Sequence, residues 1–260
     1  MGFRGDDARE AKTASRLVRV FGLDESEILR KLSGTPWGKN ISITVREEAE
    51  DSIVLIEGRG YDSEAAKRAV RDGAAEAARA LGDFVVGVDV PSLEQVVAAE
   101  LSRQGKKVSA AESCTGGLIA KRITDVPGSS AIFGLGVVSY SNEAKINVLG
   151  VDPVLLRDFG AVSPQVALAM AKGCARLARA DYGIGVTGIA GPDGGSPEKP
   201  VGLVYIALTG PEGDWSWKTT PRIPWAGRDW VRRRTASRAL DLLRRRLAGL
   251  PPGGSLIESC

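Results

Sequence analysis

The first part of the chain carries short apolar stretches on either side of a long helical pattern. Between residues 63 and 81, small apolar side chains recur at spacings of three and four, the period of one helix face. We therefore expect a compact α+β unit with helices over 24–32 and 63–81 and strands over 41–45, 53–57 and 84–88. The predicted sheet-facing positions of the long helix are Ala66, Val70, Ala74, Ala77, Ala78 and Leu81.

A second pattern, in which apolar strands alternate with amphipathic helices, begins after Val90 and Pro91. Such alternation is typical of an α/β sheet, and it predicts a three-layer α/β/α domain with a mixed, mostly parallel sheet. The expected division is 1–90, 91–250 and a tail over 251–260. The predicted strands span 107–111, 131–140, 182–188, 202–210 and 215–220. Helices are predicted after 92, 117, 141 and 163, and a C-terminal helix is predicted to carry Leu240, Leu243 and Leu247.

One of these helices has a clear start at Ser163 and Pro164, because serine caps a helix and proline is tolerated in its first turn. Its predicted buried stripe places Cys174 in the core rather than in a reactive site. The stripe consists of Val166, Met170, Cys174 and Leu177.

Composition excludes several protein classes. Hydrophobic residues make up 43% and charged residues 26%, a balance typical of globular proteins. No apolar run approaches the roughly 18 residues that cross a bilayer, and the N-terminus lacks a secretory pattern, so we expect a cytoplasmic protein without a membrane partner. The cysteines (Cys114, Cys174 and Cys260) are odd in number and form no CxxC pair, which argues against a disulfide framework or thiolate metal site.

The absence of histidine is the most informative count. It excludes Ser-His-Asp and Cys-His mechanisms and imidazole zinc sites within this chain, so a general base must be Lys, Asp, Glu or Tyr. We expect neither a metal nor a cofactor.

Arginine is concentrated near the end of the chain. Residues 222–246 hold nine Arg against two Asp, which leaves the rest of the chain with a net charge of −4. The runs 232–234 and 244–246 either bind phosphate or nucleic acid or form a solvated helix face, and we favour the solvated face.

The turn AESCTGG, residues 111–117, lies between a predicted strand and a predicted helix. A turn of this kind exposes a nucleophile beside free helix N–H groups, so Ser113 is a candidate nucleophile and the amides of 114–117 are candidate oxyanion donors. Gly116 and Gly117 would let a substrate approach the backbone. The alternative is a tight connection in which Ser or Thr only caps the helix.

Two more features lie at the same expected sheet edge. Tyr140 ends an apolar strand and Lys145 follows it by five residues, while the glycine-rich loop 187–195 follows another strand. A lysine can act as a base only if its pKa is lowered, and otherwise Lys145 is a solvated surface residue.

Five ordered motifs resemble the CinA C-terminal domain, the nicotinamide-nucleotide amidase (PncC) type, over about residues 92–247. They are AESCTGG, VPGSS, GVVSYSNEAKINVLGV, GAVS and VTGIAGPDGGSPEKPVGLVYIAL. The resemblance implies deamidation of nicotinamide mononucleotide to nicotinic acid mononucleotide and ammonia in pyridine-nucleotide salvage, with Ser113 as nucleophile, Lys145 as base and Tyr140 as its partner. The implied substrate-binding residues are Thr115, Gly116, Gly117, Thr187, Gly188, Gly191 and Arg228.

Residues 17–88 resemble the middle domain of full-length CinA, whose large molybdopterin-binding-like N-terminal domain has no counterpart in these 260 residues. That missing domain would carry any phosphatase or pyrophosphatase activity. The rival hypotheses are a non-catalytic scaffold linked to competence or DNA damage, and a Cys114 thiolate as nucleophile. We expect a homo-oligomer that acts on a small nucleotide and does not bind nucleic acid.

Overall fold

A computed structural model describes residues 12–48, 51–60, 62–219 and 227–253, and the chain divides into two units between Ser92 and Leu93. Among the described residues, no helix has both the length and the apolar character that spanning a membrane requires. Cys260, Thr220 and the predicted tail beyond residue 253 lie outside the described residues.

The first unit is a four-stranded antiparallel sheet in the order β2-β3-β1-β4. Sequence reasoning missed β1, although this strand pairs with both β3 and β4. The long helix spans the predicted 63–81 and packs on β1 and β3. The elements of the first unit are β1 (Lys12–Val20), α1 (Glu25–Leu32), β2 (Ile41–Glu48), β3 (Asp51–Gly60), α2 (Ser63–Leu81) and β4 (Val85–Val88).

Helix caps and a small apolar core define this first unit. The Asp24 side chain accepts from the Glu27 amide while Glu27 reaches back to the Asp24 amide, which completes a capping box. On α2 the buried face follows the predicted period, except that Gly73 is buried where Ala78 was expected. The core side chains include Val18, Val20, Ile28, Leu32, Val54, Ile56, Val70 and Leu81.

The second unit contains a five-stranded mixed sheet in the order β6-β5-β7-β8-β9. The β5–β6 and β5–β7 pairs are parallel, and the β7–β8 and β8–β9 pairs are antiparallel. The predicted α/β class with a mixed sheet is confirmed. The elements are α3 (Leu93–Gln104), β5 (Val108–Glu112), α4 (Leu118–Thr124), β6 (Phe133–Val138), α5 (Asn142–Asn147), α6 (Pro153–Phe159), α7 (Pro164–Ala178), β7 (Tyr182–Gly188), β8 (Val204–Thr209), β9 (Trp215–Thr219) and α8 (Gly227–Leu247).

Helices cover both faces of this sheet. Ala111 of β5 joins the core cluster under α7, whereas the next side chain, Glu112, bonds the amides of α4. Because successive strand residues point to opposite faces, α7 and α4 lie on different sides. Helix α8 packs with α3 and α4 and contacts β8.

Helix α7 lies unusually close to β7. Ser163 caps it, and Val166, Met170 and Cys174 are buried as predicted. Leu177 is 48% exposed, so its predicted place in the buried stripe is wrong. A Cβ at Gly185 would lie 2.0 Å from the Ala167 carbonyl oxygen, and only glycine permits this approach.

The predicted solvated face over residues 244–246 is wrong. Arg244, Arg245 and Arg246 are only 6%, 2% and 7% exposed. Arg244 and Arg245 donate to the buried Asp241 carboxylate, and Arg246 lies 3.7 Å from the centroid of the Trp215 ring. These three guanidinium groups therefore belong to the packing of α8 and do not form a nucleic-acid surface.

Candidate active site

The turn that carries Ser113 is held at the carboxyl ends of two parallel strands. The Ser113 amide donates to the Val186 carbonyl of β7 at 3.0 Å, and the register pairs Glu112 with both Val138 and Val186. The ends of β5, β6 and β7 therefore meet at one sheet edge. Ser113 is 9% exposed there, at the strand-to-helix turn that the sequence predicted.

The Glu112 carboxylate occupies the N-terminus of α4. The sequence had predicted that the amides at this end of the helix bind the oxyanion of the substrate. The Glu112 carboxylate instead accepts from the amides of Gly117, Ile119 and Ala120 at 3.0, 3.1 and 2.8 Å. A buried carboxylate at this position caps the helix and balances its dipole. The amide of Gly117 is therefore already bonded.

The amide of Gly116 is also removed from the predicted oxyanion donors. This amide donates to the Ser113 carbonyl at 3.1 Å, closing the turn. The amides of Cys114 and Thr115 donate to no backbone or side-chain oxygen in the described ranges, and the Cys114 amide contacts its own thiol, so these two are the available oxyanion donors of the turn. Gly116 and Gly117 serve the turn through their positive φ angles of +61° and +92°.

Lys145 meets the requirement for a lysine base. Its Nζ lies 3.3 Å from the Ser113 Oγ and donates to the Ser139 carbonyl at 2.8 Å, and the side chain is 1% exposed. Burial lowers the pKa of Lys145, and this effect outweighs the opposing charge interaction with Cys114. The alternative of a solvated surface lysine is wrong.

Cys114 has an environment opposite to that of a reactive cysteine. The side chain is 5% exposed, and burial raises the pKa of its thiol to about 12. A thiol with this pKa is protonated at neutral pH and is a poor nucleophile. The geometry therefore favours Ser113 over Cys114.

Tyr140 and Arg228 form a bridge beside the turn. Arg228 donates to the Tyr140 hydroxyl at 2.8 Å and to the Gly191 carbonyl at 2.9 Å. The structure thus brings three of the predicted site residues together: Tyr140, Arg228 and Gly191. The Tyr140 hydroxyl does not bond Lys145, which instead lies 3.5 Å from the Tyr140 carbonyl oxygen.

Thr187 is fixed by its side chain rather than turned toward solvent. It is 1% exposed and donates to the Ala161 carbonyl at 2.7 Å, while Gly188 continues the β7–β8 pairing opposite Val204. Lys199, which sequence reasoning missed, donates to the carbonyls of Phe159 and Val162 at 2.8 and 2.9 Å. This lysine anchors the segment that follows the glycine-rich loop to the turn between α6 and α7.

Arg232 belongs to the predicted solvated run 232–234, but it bonds the nucleophile turn, a contact that sequence reasoning missed. Its Nε and Nη2 atoms lie 3.2 and 3.0 Å from the Thr115 carbonyl oxygen. The available signal was its position one helical turn after Arg228 on the same face of α8. Among the described residues, no three His, Cys, Asp or Glu side chains cluster as a metal site.

Comparisons with known proteins agree with this architecture. A CinA-like protein of Desulfovibrio desulfuricans is 44% identical over 241 residues, covering 93% of this chain and 57% of the relative. A putative competence-damage inducible protein of a Thermoanaerobacter species is 40% identical over 236 residues, covering 91% of this chain and 56% of the relative. The chain thus spans little more than half the length of these curated relatives.

Solved structures match 60% of the chain. The competence/damage inducible protein CihA of Agrobacterium tumefaciens is 45% identical with a TM-score of 0.56, over 60% of this chain and 93% of that chain. A CinA superfamily protein of Klebsiella pneumoniae is 32% identical with a TM-score of 0.57, over 60% of this chain and 96% of that chain. The family model described as the CinA C-terminal domain matches residues 90–247. The chain therefore belongs to the CinA family.

Proposed function

We propose that the second unit is a serine amidohydrolase that converts nicotinamide mononucleotide to nicotinic acid mononucleotide and ammonia. The observation that carries the proposal is the 3.3 Å contact between Lys145 Nζ and Ser113 Oγ at a buried site. Burial lowers the pKa of Lys145, so a larger fraction of the amine is neutral and able to accept the serine proton. The motif resemblance supplies the substrate.

The proposed reaction has two stages. Lys145 takes the Ser113 proton as Ser113 Oγ attacks the carboxamide carbon, and the protonated lysine then gives its proton to the departing ammonia. Water attacks the resulting acyl ester, Lys145 accepts a water proton, and Ser113 recovers its hydrogen as the acid leaves. The available amides of Cys114 and Thr115 are the proposed oxyanion donors.

Substrate charge gives Arg228 a role in this proposal. Its guanidinium is exposed and, within the described part of the chain, bonds only neutral oxygens, those of Tyr140 and Gly191. An anionic phosphate is a stronger partner for guanidinium than a neutral oxygen. We propose that Arg228 binds the substrate phosphate. Tyr140 contacts the base Lys145 through its backbone carbonyl and holds Arg228 through its hydroxyl.

Ammonia release from nicotinamide mononucleotide tests the proposal. We expect activity in the wild type and in Cys114→Ala, and loss of activity in Ser113→Ala and Lys145→Met. Full activity in Ser113→Ala would overturn the nucleophile assignment. Inactivity of a folded wild type together with salt-sensitive DNA binding would select the scaffold alternative, which the buried Arg244–Arg246 run does not favour.

For the first unit we propose the identity of a CinA middle domain. The alignments with relatives cover 93% of this chain, whereas the family model begins only at residue 90. The aligned relatives therefore include sequence like that of residues 17–88, which supports the assignment.

A further inference from the structure

Arg232 joins α8 to the nucleophile turn through two hydrogen bonds to one oxygen. Both Nε and Nη2 donate to the Thr115 carbonyl, at 3.2 and 3.0 Å. The approach is tight, since a Cβ at Gly116 would lie 3.2 Å from the Arg232 Nη2 atom. A side chain at position 116 would therefore press against the guanidinium.

The position of this contact within the turn gives it significance. The Ser113 amide is fixed to β7 at one end of the turn. At the other end the Thr115 carbonyl accepts from the Leu118 amide at 3.3 Å and from Arg232, whose two bonds are the shorter ones. The available N–H groups of Cys114 and Thr115 lie between these two fixed points. Their directions depend on both, because peptide planes rotate only about the intervening φ and ψ angles.

We propose that Arg232 is a positioning residue that orients the Cys114 and Thr115 amides for the oxyanion; this inference rests on the proposed amidohydrolase function. Arg232 acts through the Thr115 carbonyl and not on the substrate. Its removal should impair the transition state more than the bound substrate, because the oxyanion forms only during reaction. The expected signature is a lower kcat with little change in KM.

Arg122 offers a matched control. It also joins α8 to other elements, donating to Ser237 Oγ at 2.6 Å and to Glu94 Oε2 at 2.9 Å. Like Arg232, Arg122 is a partly buried arginine. It lies in α4 after the first turn of that helix, and these partners belong to α8 and α3 rather than to the nucleophile turn. A purely structural role for Arg232 would make the two arginines equivalent in kinetics.

The experiment measures kinetics, melting temperature and amide hydrogen exchange of the 260-residue chain carrying Arg232→Met, Arg232→Lys or Arg122→Met. We expect Arg232→Met to lower kcat about 10- to 100-fold, the effect of small misplacements in an active site. Arg232→Lys, which retains charge but offers one compact donor group, should be intermediate. Arg122→Met should keep its kcat, although its melting temperature falls.

Hydrogen exchange separates this inference from the proposed function. The amides of Gly116 and Gly117, which are bonded within the turn, should exchange faster in Arg232→Met than in Arg122→Met. Unchanged exchange and kcat in Arg232→Met would overturn the inference, as would equal losses of kcat in both Met variants. If wild type releases no ammonia, the proposed function fails while the exchange comparison still decides the positioning claim.

Discussion

The guanidinium of Arg228 donates a hydrogen bond to the hydroxyl of Tyr140 across 2.8 Å, which links the first turn of α8 to the segment between β6 and α5. These residues are 88 positions apart in the chain. The contact directs the phenol toward a cation, while the backbone of Tyr140 faces Lys145. The phenol and the backbone carbonyl of Tyr140 therefore contact different site residues, Arg228 and Lys145.

Tyr140→Phe should raise KM and leave the pH midpoint of activity unchanged. Losing a hydrogen bond to an exposed charged group costs about 1 kcal/mol, which corresponds to about a fivefold rise in KM. Steady-state kinetics at several pH values measure both quantities. Tyr182→Phe, which removes a hydroxyl that bonds Glu212 instead of a site residue, is the control. A shifted midpoint in Tyr140→Phe would instead assign the phenol to proton transfer with Lys145.

The pH dependence of kcat should follow the protonation of Lys145. The base must be neutral, so kcat is expected to rise with pH through the pKa of Lys145. Because burial lowers the pKa of Lys145, the midpoint should lie below the ordinary value for lysine. Rates of ammonia release across the neutral and alkaline range give the midpoint. A midpoint at the ordinary lysine value would contradict the buried environment.

Lys145→Met should stabilise the fold while abolishing activity. In the folded protein burial lowers the pKa of Lys145, so between that pKa and the ordinary one the unfolded chain binds more protons and stability rises with pH. The cost of the buried charge is complete below the lowered pKa and disappears above the ordinary one. We expect a rise in Tm of about 2–4 °C at low pH, as ~1 kcal/mol produces.

Thermal unfolding of the Lys145→Met protein at several pH values tests the sign of this effect. The gain in Tm should shrink as the pH rises toward the ordinary lysine pKa. Lys218→Met, which removes an exposed lysine of β9, should show no such trend. A lower Tm for Lys145→Met at every pH would mean that the contacts with Ser139 and Ser113 outweigh desolvation.

Glu112→Gln should destabilise the second unit by about 2 kcal/mol, because a charged acceptor of three backbone amides is replaced by an amide with one oxygen. Urea unfolding measures the loss. Glu143→Gln, an exposed acid in the first turn of α5, is the matched control and should change stability little. Equal effects in both variants would contradict the capping role of the buried carboxylate.

Local patterns predicted the elements whose burial is periodic. The boundaries of α2 and β7 coincide with the predicted ones, because one apolar face or one apolar run defines each element. Strand β1 was missed because charged Lys12, Arg16 and Arg19 interrupt its apolar residues. Its strand conformation depends on pairing with β3, more than 30 residues away.

The candidate site was predictable where its residues lie close together in the sequence. Ser113, Tyr140 and Lys145 lie within 33 residues of one another and carry motif information. The contact of Arg232 with Thr115 spans 117 positions; helical spacing places Arg232 on the same face as Arg228 but does not identify Thr115 as its partner. Glu112 stands next to Ser113, but only the fold shows that its carboxylate takes the helix amides.

The close approach of α7 to β7 connects the packing of the core to the position of the site residue Thr187. A methyl group at position 185 would act as a wedge against the Ala167 carbonyl and lift the start of α7 from the sheet. That start is capped by Ser163, two residues beyond the Ala161 carbonyl that holds Thr187. The absence of a side chain at Gly185 thus determines how close the start of α7, and with it the partner of Thr187, lies to the sheet.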